Sequence, residues 1–90
     1  MILKLVEVKR ETGNIELDKE NINKKFLVSQ MLTGRSAVLY YLDEHNDITN
    51  MYLNTSGVKS IGIVYDILYM ETNNTMYKFE IVTTGVIGNE

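Results

Sequence analysis

The sequence predicts a mainly β protein, a small antiparallel barrel or curled sheet of five or six strands, with one short helix within residues 18–30 as an open alternative. The pattern of apolar and polar residues supports this fold, and the length supports a single domain. Short runs of aromatic, β-branched and other apolar residues alternate with polar ones along most of the chain, and polar or glycine-containing breaks separate the runs. A length of 90 residues predicts a single domain over residues 1–90.

The clearest element is a hairpin in LYMETNNTMYKFEIV, residues 68–82. Asn tolerates the positive φ of tight turns, so Asn73-Asn74 predicts a two-residue turn that pairs Thr72 with Thr75. The register then gives an apolar face with the pairs Met70–Tyr77 and Leu68–Phe79, continued by Ile81. The opposite face, which is partly exposed to solvent, carries the pairs Glu71–Met76, Tyr69–Lys78 and Ile67–Glu80.

A second hairpin is predicted over residues 36–56, with EHND at 44–47 as its loop. A four-residue loop pairs Asp43 with Ile48. That register fixes the two faces of the hairpin. One face holds Val38, Tyr40, Leu42, Met51 and Leu53, and the other holds Tyr41, Asn50, Tyr52 and Asn54.

Between the hairpins, TSGVKSIGI at 55–63 carries Gly57 and Gly62 and predicts a return to a strand that begins near Ser60. Gly62 is a candidate for a bulge. Asp66 interrupts the apolar row, which predicts either a bend at Tyr65-Asp66 or a bulged strand.

The N-terminal segment 2–9 predicts a strand, and ETGN at 11–14 predicts a turn that folds it back onto Ile15 and Leu17. Residues 18–33 fit two periodicities. Asp18 could cap a helix, whereas KKFLVSQM fits a strand. We favour a helix or helical turn at 18–25 followed by extended chain.

Composition narrows the possible functions. The net charge of −3 gives no general attraction to nucleic acid or anionic membranes, so nucleic acid is not the expected partner. The absence of cysteine excludes disulfides, thiolate metal sites and cysteine nucleophiles. Charges in MILKLVEVKR leave no apolar stretch for export, and no window predicts a membrane span. We therefore expect a cytoplasmic protein.

Residues suited to catalysis or metal binding are few. His45, the only histidine, falls in a predicted turn. The segment 43–47 lacks the glycine and the acid that a calcium loop needs, because Ile48 and Asn54 stand at those positions. Glu71 and Glu80 lie beside a lysine on an open sheet face. The sequence predicts no enzymatic activity, no metal and no cofactor.

Tyrosine, which interfaces favour, is the more informative residue. Tyr41, Tyr52, Tyr65 and Tyr69 are candidates for a protein interface, and burial in a closed barrel is the alternative. We expect a homodimer, because a short chain has a small core. It would form through faces carrying these tyrosines with Ile67 and Val82, or through an open strand edge.

The stretch from Asn54 to Val82 has a spacing that resembles small uncharacterised proteins of Gram-positive bacteria, their phages and mobile elements. The residues that carry this resemblance are Thr55, Ser56, Val58, Ile61, Asp66, Leu68, Thr72, Asn74, Thr75, Tyr77 and Phe79. Gly57 departs from the pattern, where Pro is usual. The resemblance implies an origin and a β fold, and it implies no catalytic or binding residue.

The leading hypothesis is a non-enzymatic protein-binding module from a phage or mobile element, which docks on a host protein and inhibits a host defence or regulatory complex. Asn, Ile, Lys and Tyr, which have AT-rich codons, supply 31 of the 90 residues and fit that origin. The alternative is a small barrel that binds single-stranded nucleic acid by stacking bases on tyrosines in a basic groove. That groove would require Lys4, Lys9, Arg10, Lys24 and Lys25 to converge.

Overall fold

Six antiparallel strands form a closed barrel in the computed structural model, which describes residues 1–10 and 19–83. The strands are β1 (Ile2–Arg10), β2 (Lys25–Gln30), β3 (Ser36–Leu42), β4 (Ile48–Val64), β5 (Ile67–Thr72) and β6 (Thr75–Thr83). Each strand pairs with the next along the chain, and β1 pairs with β6 to close the barrel. The predicted small antiparallel barrel is confirmed.

Alternation along the strands places one row of side chains inside the barrel. Phe26 and Phe79 are fully buried and meet edge to face, with their ring centroids 6.3 Å apart. The ring of Tyr77 stacks on Phe79 at 5.9 Å. The buried hydrophobic core consists of Leu3, Leu5, Val8, Phe26, Ala37, Leu39, Val58, Leu68, Met70, Tyr77 and Phe79.

The β5–β6 hairpin has the predicted register throughout. Leu68 pairs with Phe79, and Met70 pairs with Tyr77. Thr72 and Thr75 close the turn through the buried hydroxyl of Thr72, which accepts a hydrogen bond from the Thr75 amide at 3.2 Å and donates to its carbonyl at 3.1 Å. The turn also docks on β4, because the Asn73 amide donates to the Gly57 carbonyl at 3.1 Å.

The predicted register of the β3–β4 hairpin is wrong. Leu42 pairs with Ile48 and Tyr40 pairs with Tyr52, with an irregularity between the two pairs. The physical reason is that Asp43 belongs to the loop and not to the strand. Its carboxylate accepts hydrogen bonds from the His45 amide at 2.8 Å and the Asp47 amide at 2.9 Å. Strand β3 therefore ends one residue earlier than predicted, at Leu42.

Strand β4 is continuous, which corrects the prediction of a separate strand beginning near Ser60. Its first half pairs with β3 as far as Gly57, and its second half pairs with β5 from Val58 onward. Gly62 is regularly paired with Tyr69 and marks no bulge, since the irregularity in this pairing lies between Val58 and Ser60.

Of the two alternatives at Tyr65-Asp66, the chain adopts a turn. Val64 pairs with Ile67, so Tyr65 and Asp66 form a two-residue hairpin turn between β4 and β5.

The stretch that fits two periodicities, residues 18–33, forms turns followed by a strand where the structure describes it, from Lys19 onward. The Ile22 amide donates to the Lys19 carbonyl at 3.1 Å and the Lys24 amide to the Asn21 carbonyl at 3.0 Å, after which β2 begins at Lys25. Over 19–30 the chain therefore follows the favoured interpretation of a helical turn before extended chain, with Lys19 helical and residues 20–23 in turns. The predicted turn at 11–14, its pairing with Ile15 and Leu17, and the Asp18 cap lie outside the described residues.

Candidate protein-binding surface

Exposed apolar side chains lie among charged ones on the outer side of the sheet formed by β5, β6 and the second half of β4. Val64 pairs with Ile67, and both lie on the outer side with Tyr69. Tyr69 is 40% exposed, Val64 56% and Met76 43%. Val82, on the same side of β6, is also exposed. We call the surface made by Val64, Ile67, Tyr69, Met76 and Val82 the outer patch.

Charged side chains of both signs lie within and around the outer patch. The Lys78 ammonium lies 5.9 Å from the centroid of the Tyr69 ring, within cation–π range, and 3.9 Å from a Glu7 carboxylate oxygen. A second Glu7 oxygen lies 3.4 Å from the Lys9 ammonium. Tyr69 and Met76 line a shallow hollow of about 230 Å³ together with these three charged residues. The hollow therefore combines two apolar side chains with two positive charges and one negative charge.

The β4–β5 turn projects the most exposed aromatic side chain of the described residues. Tyr65 is 96% exposed, and neighbouring Ile63 is 54% exposed. The Tyr65 φ of 56° lies in the left-handed region, which costs a residue with a Cβ about 1–2 kcal/mol. The turn is held in place because the Ile81 amide donates to the Asp66 carbonyl at 2.7 Å. The Tyr65 side chain thus projects from an anchored turn and makes almost no contact with the rest of the chain.

Replacing Tyr65 with Asn is expected to raise the free energy of unfolding by about 0.5–1 kcal/mol, because Asn adopts the left-handed conformation at lower cost. Urea denaturation followed by circular dichroism measures this change. Met76→Asn, an exposed substitution with ordinary backbone geometry, serves as the control and should give no gain. A loss of stability in Tyr65→Asn would show that the tyrosine ring supports the fold.

The four predicted interface tyrosines occupy three different environments. Tyr65 and Tyr69 belong to the hairpin that carries the outer patch. Tyr52 is 54% exposed on the first half of β4, with its ring 5.6 Å from that of Tyr40. Ten residues of strand separate Tyr52 from Gly62, the neighbour of Tyr69, which is a span of about 33 Å. Tyr52 therefore lies on a separate surface.

Tyr41 points into the barrel, which corrects its predicted place on the outer face. Its ring centroid lies 4.8 Å from that of Phe26, and its hydroxyl donates to the Asn21 side-chain carbonyl at 3.0 Å. The one-residue difference in register exchanges the two faces of β3 and brings Tyr41 inside. Its half-buried ring packs against the core.

The five cations of the nucleic-acid alternative fall into two groups. Lys4 and Lys25 are register partners, with Lys24 adjacent, whereas Lys9 and Arg10 lie at the far end of β1. Lys4 approaches Glu80 at 3.9 Å. At the far end, a hollow of about 390 Å³ beside the 73–74 turn is lined by Lys9, Arg10 and Lys59, and Lys59 lies 3.6 Å from Glu71. The structure does not bring the five cations together.

The residues considered for chemistry are dispersed over the surface. His45 lies in the exposed β3–β4 loop, 3.6 Å from the Glu44 carboxylate. Glu71 and Glu80 lie on the outer side of the sheet beside lysines, as the hairpin register predicts. Within residues 1–10 and 19–83, no three His, Cys, Asp or Glu side chains gather in a group that could hold a metal ion.

Sequence reasoning missed that Ile63, Val64 and Met76 are exposed apolar residues of this sheet. The β5–β6 register already placed Met76 on the outer side, so that signal was present. Ile63 and Val64 gave no such signal, because only the turn at Tyr65-Asp66 shows that they end a projecting hairpin.

Comparisons with protein-family models, with curated proteins and with solved structures found no match. Across the described residues, no helix is long and apolar enough to cross a membrane.

Proposed function

We propose that this chain is a non-enzymatic protein-binding module of a phage or mobile element, which docks on a host protein in the bacterial cytoplasm through its outer patch and the Tyr65 turn. The observation that carries the proposal is the concentration of exposed apolar side chains on one hairpin and its neighbouring strand. Val64, Tyr65, Tyr69 and Met76 are each at least 40% exposed. Exposed apolar clusters with a polar rim are typical of protein interaction sites.

The chemistry of the patch suits a protein partner. Tyr and Met are enriched at the centre of protein interfaces, whereas rim positions are polar and accessible to water. Tyr69 supplies a large contact area with little loss of side-chain freedom, and Lys78, Lys9 and Glu7 supply the rim. Tyr65 retains an unfavourable backbone conformation while its ring contacts little of its own chain, which favours an intermolecular role.

The proposed mode of action rests on the ordered backbone of this surface. The outer patch lies on hydrogen-bonded strands, and its turn is anchored to β6 by the bond between Asp66 and Ile81. A surface of this kind binds with little ordering cost, since its backbone is already fixed. We infer that it inhibits a host defence or regulatory complex by covering the site where another component binds.

Affinity capture from a lysate of a Gram-positive host tests this proposal. The full chain is immobilised in three forms, which are the unmodified protein, Tyr69→Ser and Tyr52→Ser. We expect the unmodified protein and Tyr52→Ser to retain the same host protein and Tyr69→Ser to lose it. Tyr52→Ser is the matched control because it removes an exposed tyrosine from the other half of β4.

Two results would contradict the proposal. One is that the folded, unmodified protein retains no host protein. The other is that Tyr52→Ser loses the captured protein while Tyr69→Ser keeps it, which would place the binding surface on the β3–β4 hairpin.

A further inference from the structure

The second half of β4 has a free edge. On its β3 side, the last contacts are at Val58, whose amide donates to the Arg35 carbonyl and whose carbonyl accepts from the Gly34 amide, each at 2.8 Å. Beyond Val58, β4 pairs only with β5, and no other strand of the described residues lies along this side. Among the described residues, the backbone donors and acceptors of 59–64 on this side therefore have no strand partner.

This edge lacks the features that usually prevent strands from pairing with other chains. Natural edges carry charges, prolines or bulges. The segment from Ser60 to Val64 is uncharged and contains no proline, and its pairing with β5 runs from Ser60↔Glu71 to Val64↔Ile67 without a break. Ser60, Gly62, Ile63 and Val64 are exposed, and Ile61 is half-buried. The edge is thus regular and accessible to another strand.

We propose that the Ser60–Val64 edge pairs antiparallel with the same edge of a second copy, about a two-fold axis that passes beside Gly62. The sequence Ile61-Gly62-Ile63 is symmetric about its centre. In that register Ile61 lies opposite Ile63 of the partner subunit, and the reverse pair forms on the other side of the axis. Gly62 meets Gly62 of the partner subunit, and no side chain stands between the two backbones.

Charges at the ends of the segment fit the same arrangement. Lys59 precedes the segment and exposed Asp66 follows it, separated from Val64 only by Tyr65. Antiparallel pairing about Gly62 places Lys59 opposite Tyr65 of the partner subunit, adjacent to Asp66 of the partner subunit. Two Lys–Asp contacts would form, one on each side of the axis, and no like charges would face each other. A parallel pairing would instead place Lys59 beside its own equivalent.

The pairing is compatible with the outer patch. Side chains on β4 alternate between the two sides of the sheet, and the new hydrogen bonds lie in the plane of the sheet. The outer patches of two copies would therefore lie on one continuous sheet surface. The inference goes beyond the proposed function, because dimerisation through this edge requires no host protein.

Two separate variants, which introduce opposite charges at Gly62, test the proposal. No heavy atom lies within 4 Å of a Cβ built on Gly62, and its φ is not positive, so a side chain can be added without disturbing the barrel. Gly62→Lys and Gly62→Glu each place like charges opposite one another at the axis, where Cβ atoms are about 5 Å apart. Masses are measured by analytical ultracentrifugation over about 1–100 µM, the range in which a weak dimer dissociates.

We expect the unmodified protein to approach twice the chain mass of 10.3 kDa, and each Gly62 variant to stay near that mass. An equal mixture of the two variants should recover the dimer, because Lys then faces Glu. Recovery on mixing separates a broken interface from a damaged fold. Asn54→Lys and Asn54→Glu, at an exposed position on the first half of β4, are the controls and should remain dimeric.

Three results would overturn the proposal. The unmodified protein could remain monomeric throughout the concentration range. The Gly62 variants could dimerise as well as the unmodified protein, which would place the contact elsewhere. The mixture could fail to recover the dimer although both variants keep the circular dichroism spectrum of the unmodified protein, which would show that the two Gly62 positions do not face each other.

Discussion

Replacement of Phe79 by Ala is expected to lower the free energy of unfolding by about 3–5 kcal/mol, the usual cost of removing a buried phenylalanine. Phe79 is fully buried, contacts the rings of Phe26 and Tyr77, and lies on the strand pair that closes the barrel, opposite Leu5. A 90-residue domain has a total stability of about 5–13 kcal/mol. The variant should therefore lose a large share of its total stability.

Guanidinium denaturation followed by circular dichroism measures this loss. The matched control is Tyr52→Ala, which truncates an aromatic residue on the outside of the barrel and should cost about 1 kcal/mol or less. Equal losses for the two variants would mean that Phe79 is not at the centre of the core. If Phe79→Ala does not fold, Phe79→Leu keeps the test possible and should still cost more than Tyr52→Ala.

Sequence reasoning succeeded where local turn chemistry fixes the register. The Asn73-Asn74 turn sets the pairing of Thr72 with Thr75, and every later pair in that hairpin follows by counting. The apolar row of Leu68, Met70, Tyr77 and Phe79 was therefore placed correctly inside the barrel. Fold class follows from the same alternation, because six strands with one apolar side can bury that side by closing on each other.

The β3–β4 hairpin shows why such counting can fail. The Thr49 hydroxyl donates to the Tyr41 carbonyl at 2.8 Å and accepts from the Met51 amide at 3.2 Å. These side-chain hydrogen bonds replace part of the backbone hydrogen bonding between β3 and β4. This arrangement and the Asp43 loop shift the register by one residue. Because strand side chains alternate, that single residue places Tyr41 on the inner side, against the core, and not on the predicted outer face.

Only part of the candidate surface could be predicted from the sequence, for a related reason. Tyr69 was placed correctly, because it belongs to the hairpin whose register was certain from its turn. The continuity of β4 was not foreseen, since Ser56, Gly57 and Gly62 are weak strand formers and predict a break. Long-range pairing with β3 and then β5 overrides that preference, and it creates both the free edge and the projecting turn.

Loss of the Tyr69 side chain should have a large effect on partner affinity. An aromatic residue near the centre of an interface typically contributes 2 kcal/mol or more, so Tyr69→Ala should weaken binding of the captured host protein by about 30-fold or more. Tyr52→Ala should change it by less than about 2-fold, because positions outside the interface contribute little. Titration calorimetry with the purified partner provides both values.

The location of the bound partner is the most direct test of the proposed binding surface. Amide resonances of the isotopically labelled chain are recorded with and without the captured partner. We predict that the resonances that shift or broaden lie in 62–71 and 76–82, while those of 36–56 stay unchanged. Changes confined to 36–56, with 62–71 and 76–82 unaffected, would contradict a binding surface centred on Tyr69.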